Sequence, residues 1–160
     1  MIVAHNTFVN NNADILRQKK CKNCNKVAKN VKIVNNLFYG KGEYIAYEPG
    51  KNEECKGNLV FSPVNGSPKL DDCDGYKVGD PKFIKTKDNI FRLGEGSAAI
   101  GIGEDNWGKY AHYDIDRQSR VGLAPDAGAD QFLSGNLKYP PLKFEDVGPG
   151  TGDRDVEPPA

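Results

Sequence analysis

Long apolar segments are missing from this sequence, and methionine and tryptophan are rare. Hydrophobic residues make up 38% of the 160 residues, and Met and Trp each occur once. No run approaches the roughly 20 apolar residues that a membrane-spanning helix requires, so we expect no membrane partner. No window keeps the i, i+3, i+4, i+7 spacing of an amphipathic helix, which argues against a helical bundle.

An excess of charge of either sign is missing as well. The 22 Lys and Arg residues balance 22 Asp and Glu residues, so we expect no nucleic-acid partner that relies on a dominating positive field. The balance hides one basic cluster without acidic residues, which is either a solvated loop or a patch for an anionic ligand. Its members are Arg17, Lys19, Lys20, Lys22, Lys26, Lys29 and Lys32.

The four cysteines do not complete a metal-binding signature. Cys21 and Cys24 form a single C-x-x-C pair, whereas a zinc ribbon needs a second such pair. Three disulfide pairings are possible if all four cysteines are bridged, and the sequence leaves the pairing open. Residues 1–6 also lack the charged start and apolar stretch of a signal peptide, so the chain is either cytoplasmic or an internal piece of a longer protein.

An internal repeat of Asn and Phe runs through the first half of the chain. Residues 3–8 are echoed at 33–38 and more weakly at 55–61, and the repeated Asn residues are spaced by 30 and then 22 positions. A unit of about 22 residues, with one insertion that holds the basic cluster, explains both spacings.

Short alternating strands at this spacing, separated by Gly and Asn turns, predict an all-β fold. We expect a right-handed, single-stranded parallel β-helix of the pectate-lyase type, with about three coils and an irregular C-terminal cap. The coils would occupy residues 1–75, the last coil and the capping segment 76–147, and a disordered tail 148–160.

The repeated residues are expected to have structural roles. The Asn side chains would form a hydrogen-bonded ladder and the Phe side chains an aromatic stack, while Cys55 would be a small core residue in place of Val or Ile. The predicted ladder is Asn6, Asn36 and Asn58, and the predicted stack is Phe8, Phe38 and Phe61.

Segments across most of the chain resemble the C-terminal portion of the family-6 polysaccharide lyases, which include alginate lyases and chondroitinase B. The likeness covers residues 1 to about 149, and its most specific part is the D-x-D…R…D-x-G-A-D-x-F pattern that begins at Asp114. Position 117, usually Gly in the family, is Arg117, and position 127, usually Ile, is Ala127. The matching segments are 5–8, 31–38, 56–61, 80–83, 114–120, 126–132 and 146–149.

The resemblance implies cleavage of uronate-containing polysaccharides, either alginate or chondroitin and dermatan sulfate, by β-elimination. Such enzymes neutralise the uronate carboxylate, often with Ca²⁺, remove the adjacent proton with a lysine, and use an arginine at the leaving oxygen. In the family these groups precede the portion matched here, and no position of this sequence aligns with them. We therefore assign no catalytic residue, metal ligand or cofactor within this chain, although the full-length enzyme could use Ca²⁺, and we expect the parent protein to be secreted or periplasmic.

Candidate binding residues lie in the inserted basic segment. Arg17, Lys19 and Lys20 follow a predicted strand, at a place where the family's later coils can reach the substrate-binding face, and we expect them to attract an anionic polysaccharide. Asp114, Asp116 and Arg120 are expected to form an internal turn network instead.

Two main classes of function follow from the sequence. The chain is either the C-terminal part of a polysaccharide lyase that lacks its catalytic centre, or a non-catalytic module that binds acidic glycan or caps a neighbouring domain. A zinc-dependent interaction module is a third alternative, which rests on Cys21 and Cys24 alone.

Overall fold

The structure is a computed structural model that describes residues 1–11, 16–18, 29–41, 45–47, 53–64, 73, 75–86, 89–120 and 124–132, with only the backbone at 16–18, 45–47, 106, 108 and 109. Within these ranges it contains short β-strands and one 3-10 helix at Asp105–Tyr110. The strands are β1 (Ile2–Ala4), β2 (Thr7–Val9), β3 (Leu16–Gln18), β4 (Lys32–Val34), β5 (Leu37–Tyr39), β6 (Ile45–Tyr47), β7 (Glu54–Lys56), β8 (Asn58–Phe61), β9 (Tyr76–Val78), β10 (Ile84–Lys85) and β11 (Phe91–Arg92).

The first nine strands form three small parallel sheets that the chain enters in turn. One sheet has the order β1-β4-β7, the second β2-β5-β8-β9, and the third consists of β3 and β6. Strands β10 and β11 form a separate antiparallel pair. Successive passes of the chain are therefore layered on one another over the region of the Asn and Phe repeat.

The turn that joins the first two sheets has the same backbone conformation in each layer. His5, Asn35 and Gly57 all have a left-handed backbone, with φ of 54°, 54° and 65°. Asn and Gly accept this conformation most readily. At Gly57 a Cβ atom would also overlap the Oδ1 atom of Asn35, so the third layer requires glycine.

The predicted asparagine ladder is confirmed. The Oδ1 atom of Asn36 accepts from the backbone N–H and the Nδ2 atom of Asn6, at 3.0 and 3.1 Å. The Oδ1 atom of Asn58 accepts from the same two groups of Asn36, at 2.9 and 3.2 Å. Asn36 and Asn58 are fully buried, so these amides satisfy backbone groups that no water reaches.

The predicted phenylalanine stack is correct for two of its three members. The rings of Phe8 and Phe38 lie 5.1 Å apart and nearly parallel. Val60, not Phe61, is the strand partner of Phe38, while Phe61 stacks on Tyr39. Phe61 follows its ladder Asn by three residues instead of two, and the alternation of side chains along a strand turns it to the other face.

Two apolar clusters lie on opposite faces of the second sheet, β2-β5-β8-β9. The first contains Val31, Ile33, Phe38, Val60 and Cys73, and Cys55 packs against it and forms a disulfide with Cys73. The second contains Leu37, Leu59, Leu93, Ala99 and Ala127, so it combines the repeat region with later parts of the chain.

Residues 124–132 attach to the first layers through backbone groups. The N–H of Gly128 donates to the carbonyl of Asn35, and the N–H of Ala129 donates to the Oγ1 atom of Thr7, both at 2.8 Å. Ala127 precedes these two contacts in the chain, belongs to the second apolar cluster and is fully buried. This late segment therefore covers one side of the sheets.

The prediction of an all-β, right-handed parallel β-helix is wrong. The strands are only two to four residues long and make up 32% of the structure, in small separate sheets. After β9 no described strand joins a parallel sheet, and the chain continues through an antiparallel pair, turns and a 3-10 helix. After β9, charged side chains that bind backbone groups take the place of the parallel strand ladders, which the repeat alone did not indicate. The proposed boundaries at 75 and 147 stay predictions, and 148–160 lies outside the described residues.

Candidate functional site

An open groove lies beside the third pass of the chain, which contains β7 and β8. Its volume is about 430 Å³, and we call it the Lys56–Lys77 groove. Strands β7 and β9 supply its two lysines, and the segment before the 3-10 helix supplies its opposite wall. The lining residues are Lys56, Gly57, Asn58, Gly75, Tyr76, Lys77, Ile102 and Glu104.

Two of the residues that line the groove are glycines. A Cβ atom at Gly57 would overlap Asn35, and one at Gly75 would overlap the backbone oxygen of Cys55. Glycine is thus required by close packing behind the groove at both positions.

The charges along the groove favour an anion. Two lysines stand against one acidic residue, Glu104. Lys56 is about half exposed, and its Nζ atom forms an ion pair with the Oε1 atom of Glu54 at 3.8 Å, while the Oε2 atom of the same carboxylate accepts a hydrogen bond from Lys32 at 2.9 Å. That bond is the main cause that lowers the pKa of Glu54. Ammonium groups beside an aromatic ring and an apolar side chain can bind a carboxylate or sulfate on a sugar ring.

A chain of buried polar groups supports the wall that carries Glu104. The amide of Asn35 accepts from the backbone N–H of Glu104 at 2.8 Å and donates to its carbonyl at 3.0 Å. These two bonds identify which end of the amide is the nitrogen. The same Nδ2 atom lies 3.1 Å from the Nε2 atom of His5 and donates a hydrogen bond to it. Nε2 must then be an acceptor, which requires a neutral imidazole.

We expect acid to weaken the protein through His5. Burial, helped by Arg120, lowers the pKa of His5 from 6.5 to about 4. The native state therefore binds this proton less well than the unfolded chain, and the contribution to stability is complete above pH 6.5 and decreases as the pH falls toward 4. Denaturant titrations between pH 7 and pH 4.5 should show a loss of about 2 kcal/mol from this group.

His5→Asn is the matched variant, since Asn occupies the equivalent left-handed position 35. Its stability should lack that acid-dependent loss. Asp130 acts in the opposite direction, because burial raises its pKa from 3.8 to about 6 and stability from this group decreases as the pH rises between those values. Asp130 contributes equally to both proteins, so its effect cancels when the stability of the variant is subtracted from that of the wild type at each pH. Identical pH profiles for the two proteins would contradict the assignment.

A second cluster of buried charges lies in the C-terminal half of the described chain. Arg92 forms a two-pronged ion pair with Asp116, at 2.7 and 2.8 Å. Asp114 accepts from the backbone N–H groups of Asp116, Gln118 and Gln131 at 2.7 to 3.0 Å. These bonds stabilise turns, as the sequence predicted for the two aspartates.

Arg120 links this cluster to residues 124–132, the segment that contacts the first two layers. Its guanidinium donates to the carbonyl of Gly128 at 3.0 Å and to the side chain of Gln131 at 3.3 Å. Asp126 accepts from the N–H groups of Gly101 and Phe132. Burial raises the pKa of Asp126 and lowers that of Arg120, and both shifts have structural causes.

The acidic residues do not fit the Ca²⁺ that the resemblance implies for the full-length enzyme. Asp114, Asp116 and Asp130 offer oxygen atoms within 4.8 Å of one another. However, both oxygens of Asp116 bind Arg92, both oxygens of Asp114 accept backbone N–H groups, and one oxygen of Asp130 accepts from Leu93. A cation would have to displace an arginine and several backbone donors. No mechanistic step through Ca²⁺ is derived from these residues.

The structure gives little about the binding residues predicted from the sequence. Arg17 lies in β3, where only the backbone is described, and Lys19 and Lys20 lie outside the described residues, as do Cys21 and Cys24. Sequence reasoning missed the Lys56–Lys77 groove. The available signal was a lysine within two residues of a glycine at the end of β7 and at the start of β9, at 56–57 and 75–77.

Comparison with protein-family models, curated proteins and solved structures gave no match. Among the described residues, no helix has the length and hydropathy needed to cross a bilayer.

Proposed function

We propose that this chain is the C-terminal part of a lyase that cleaves uronate-containing polysaccharide by β-elimination, and that this part binds the acidic glycan without performing catalysis. The observation that carries the proposal is the Lys56–Lys77 groove. Its two exposed lysines, with Tyr76 and Ile102 among the other lining residues, suit a carboxylate or sulfate on a sugar ring. Alginate and chondroitin or dermatan sulfate both present such groups.

The chemistry of the described residues supports a binding role. β-Elimination needs a lysine with a lowered pKa and a nearby arginine at the leaving oxygen. Arg92 and Arg120 are buried and hold turns together, so neither guanidinium is available to a sugar ring. The groove lysines thus fit electrostatic binding better than proton abstraction.

The backbone supports the proposed relationship at one position. Arg117 has a φ of 61°, a conformation that favours glycine, and the resemblance places a glycine there. The disulfide between Cys55 and Cys73 agrees with a secreted or periplasmic parent protein, since disulfides persist in oxidising compartments.

Binding to alginate and dermatan sulfate, measured by calorimetry at low salt, tests the proposal. Lys56→Ala/Lys77→Ala should weaken binding about tenfold, since two exposed ionic contacts are lost. Lys41→Ala/Lys85→Ala removes the same charge outside the groove and should change the affinity little. A separate variant, Arg17→Ala/Lys19→Ala/Lys20→Ala, measures the contribution of the basic segment.

The same mixtures should yield no unsaturated uronate, whose conjugated double bond absorbs in the ultraviolet. Turnover by the purified chain would contradict the non-catalytic part of the proposal. Equal losses of affinity in the groove variant and its charge-matched control would contradict the groove as the binding site.

A further inference from the structure

Glu104 is the acidic residue among those that line the Lys56–Lys77 groove. It is exposed, as are Lys56 and Lys77. Within the described part of the chain its carboxylate forms no ion pair, so no neighbouring cation neutralises its charge. A ligand in the groove therefore meets two ammonium groups and one carboxylate.

The backbone of Glu104 is held in place from two sides. Asn35 is fully buried and bonds to both the N–H and the carbonyl of Glu104. A Cβ atom at Gly57 would lie 3.1 Å from the backbone nitrogen of Glu104, so this wall packs directly against the turn between β7 and β8. The preceding Gly103 donates its N–H to the carbonyl of Pro125 at 2.8 Å. Withdrawal of the wall from an incoming anion would break these bonds.

The groove is small enough for the charge of Glu104 to act on any ligand inside it. A space of this volume is about 9 Å across, which is shorter than the screening length of about 10 Å at 0.1 M salt. An anionic group that the lysines bind therefore stays within range of the Glu104 carboxylate.

Uronates and sulfated sugars would interact differently with this carboxylate. In an unsulfated uronate the ionised group shares its ring with hydroxyls, and a hydroxyl can donate a hydrogen bond to Glu104. A sulfate ester replaces a hydroxyl by an ionised group that only accepts hydrogen bonds. Near Glu104 it would set two acceptors of the same charge against each other, and such repulsion is how interfaces suppress binding of the wrong partner.

We propose that Glu104 determines the specificity of the groove, an inference that rests on the function proposed above. It admits a uronate ring with free hydroxyls and disfavours a sulfated sugar. The lysines bind the carboxylate of the uronate, and Glu104 accepts a hydrogen bond from a hydroxyl. Because the lysines attract both kinds of anion, the selectivity comes from the acidic wall.

Tetrasaccharides of alginate and of dermatan sulfate test the proposal. Alginate carries a carboxylate on every sugar, and dermatan sulfate carries a carboxylate and a sulfate ester on alternate sugars, so the two ligands have equal charge. Calorimetry with the purified full chain should show tighter binding of the alginate tetrasaccharide. Glu104→Gln should shift the ratio of the two dissociation constants about fivefold towards dermatan sulfate, as expected for one exposed ionic contact.

Glu95→Gln is the matched control, since Glu95 is exposed and does not line the groove. It removes the same charge from the protein and should leave the ratio unchanged. The bonds to Asn35 involve only the backbone of Glu104, so Glu104→Gln should melt at the temperature of the wild type.

A ratio that Glu104→Gln leaves unchanged, or that Glu95→Gln shifts equally, would overturn the proposal. A wild-type preference for dermatan sulfate would overturn it as well. Failure of the proposed function gives a different result, because Lys56→Ala/Lys77→Ala would then leave the affinity for both tetrasaccharides unchanged, and the role of Glu104 would fail with it.

Discussion

Replacing Asn36 by Ala is expected to lower the free energy of unfolding by about 3 kcal/mol or more. Its buried amide accepts two hydrogen bonds from Asn6 and donates to the carbonyls of Val3 and Val34 and to Asn58. Alanine removes all of these bonds and leaves buried backbone groups without partners, which costs more than the bonds themselves contribute. Urea titration of the purified chain measures the change.

Asn6→Ala is the control within the same ladder. Asn6 is exposed, so water can replace the bonds that its side chain makes, and the expected loss is about 1 kcal/mol. Similar losses for the two variants would mean that burial does not determine the strength of the ladder.

Removal of the disulfide between Cys55 and Cys73 is expected to cost about 3 kcal/mol. The bond joins β7 to a residue of the first apolar cluster over a sequence separation of 18. Without it the unfolded chain gains conformational freedom, while the native contacts of the third layer are unchanged. The comparison is between wild type and Cys55→Ala/Cys73→Ala by urea titration.

Cys21→Ser/Cys24→Ser also removes two cysteines but retains the bond between Cys55 and Cys73. Its stability should stay well above that of Cys55→Ala/Cys73→Ala, and reduction should bring it to the same level. A loss below about 1 kcal/mol in Cys55→Ala/Cys73→Ala would show that this bond constrains the chain little.

Local repetition explains what the sequence could predict. Asn36 recurs one layer after Asn6 and one before Asn58, and identical residues in matched positions indicate which strands become neighbours. The face on which Phe61 lies was harder to predict. Phe61 follows Asn58 by three residues instead of two, and one extra residue in a strand turns the side chain to the opposite face.

The overall fold and the groove depend on contacts that no repeated sequence pattern indicates. Gly57 and Gly75 are required by close approaches to Asn35 and Cys55, which are visible only once the layers are assembled. Arg92 and Asp116 are 24 positions apart, and no pattern connects them in the sequence. The sequence predicts the internal turn network of Asp114, Asp116 and Arg120, but it does not predict that Arg92, Asp126 and Asp130 are buried as well.

The contact between Thr7 and Ala129 joins residues that are 122 positions apart. During synthesis the first two sheet layers leave the ribosome long before their covering segment exists. Until residues 124–132 follow, Leu37 and Leu59 lack Ala127 as a neighbour, and the apolar side of the sheets is open to other nascent chains. The exposure of this apolar side during synthesis therefore ends when residues 124–132 arrive, and not when the repeat is complete.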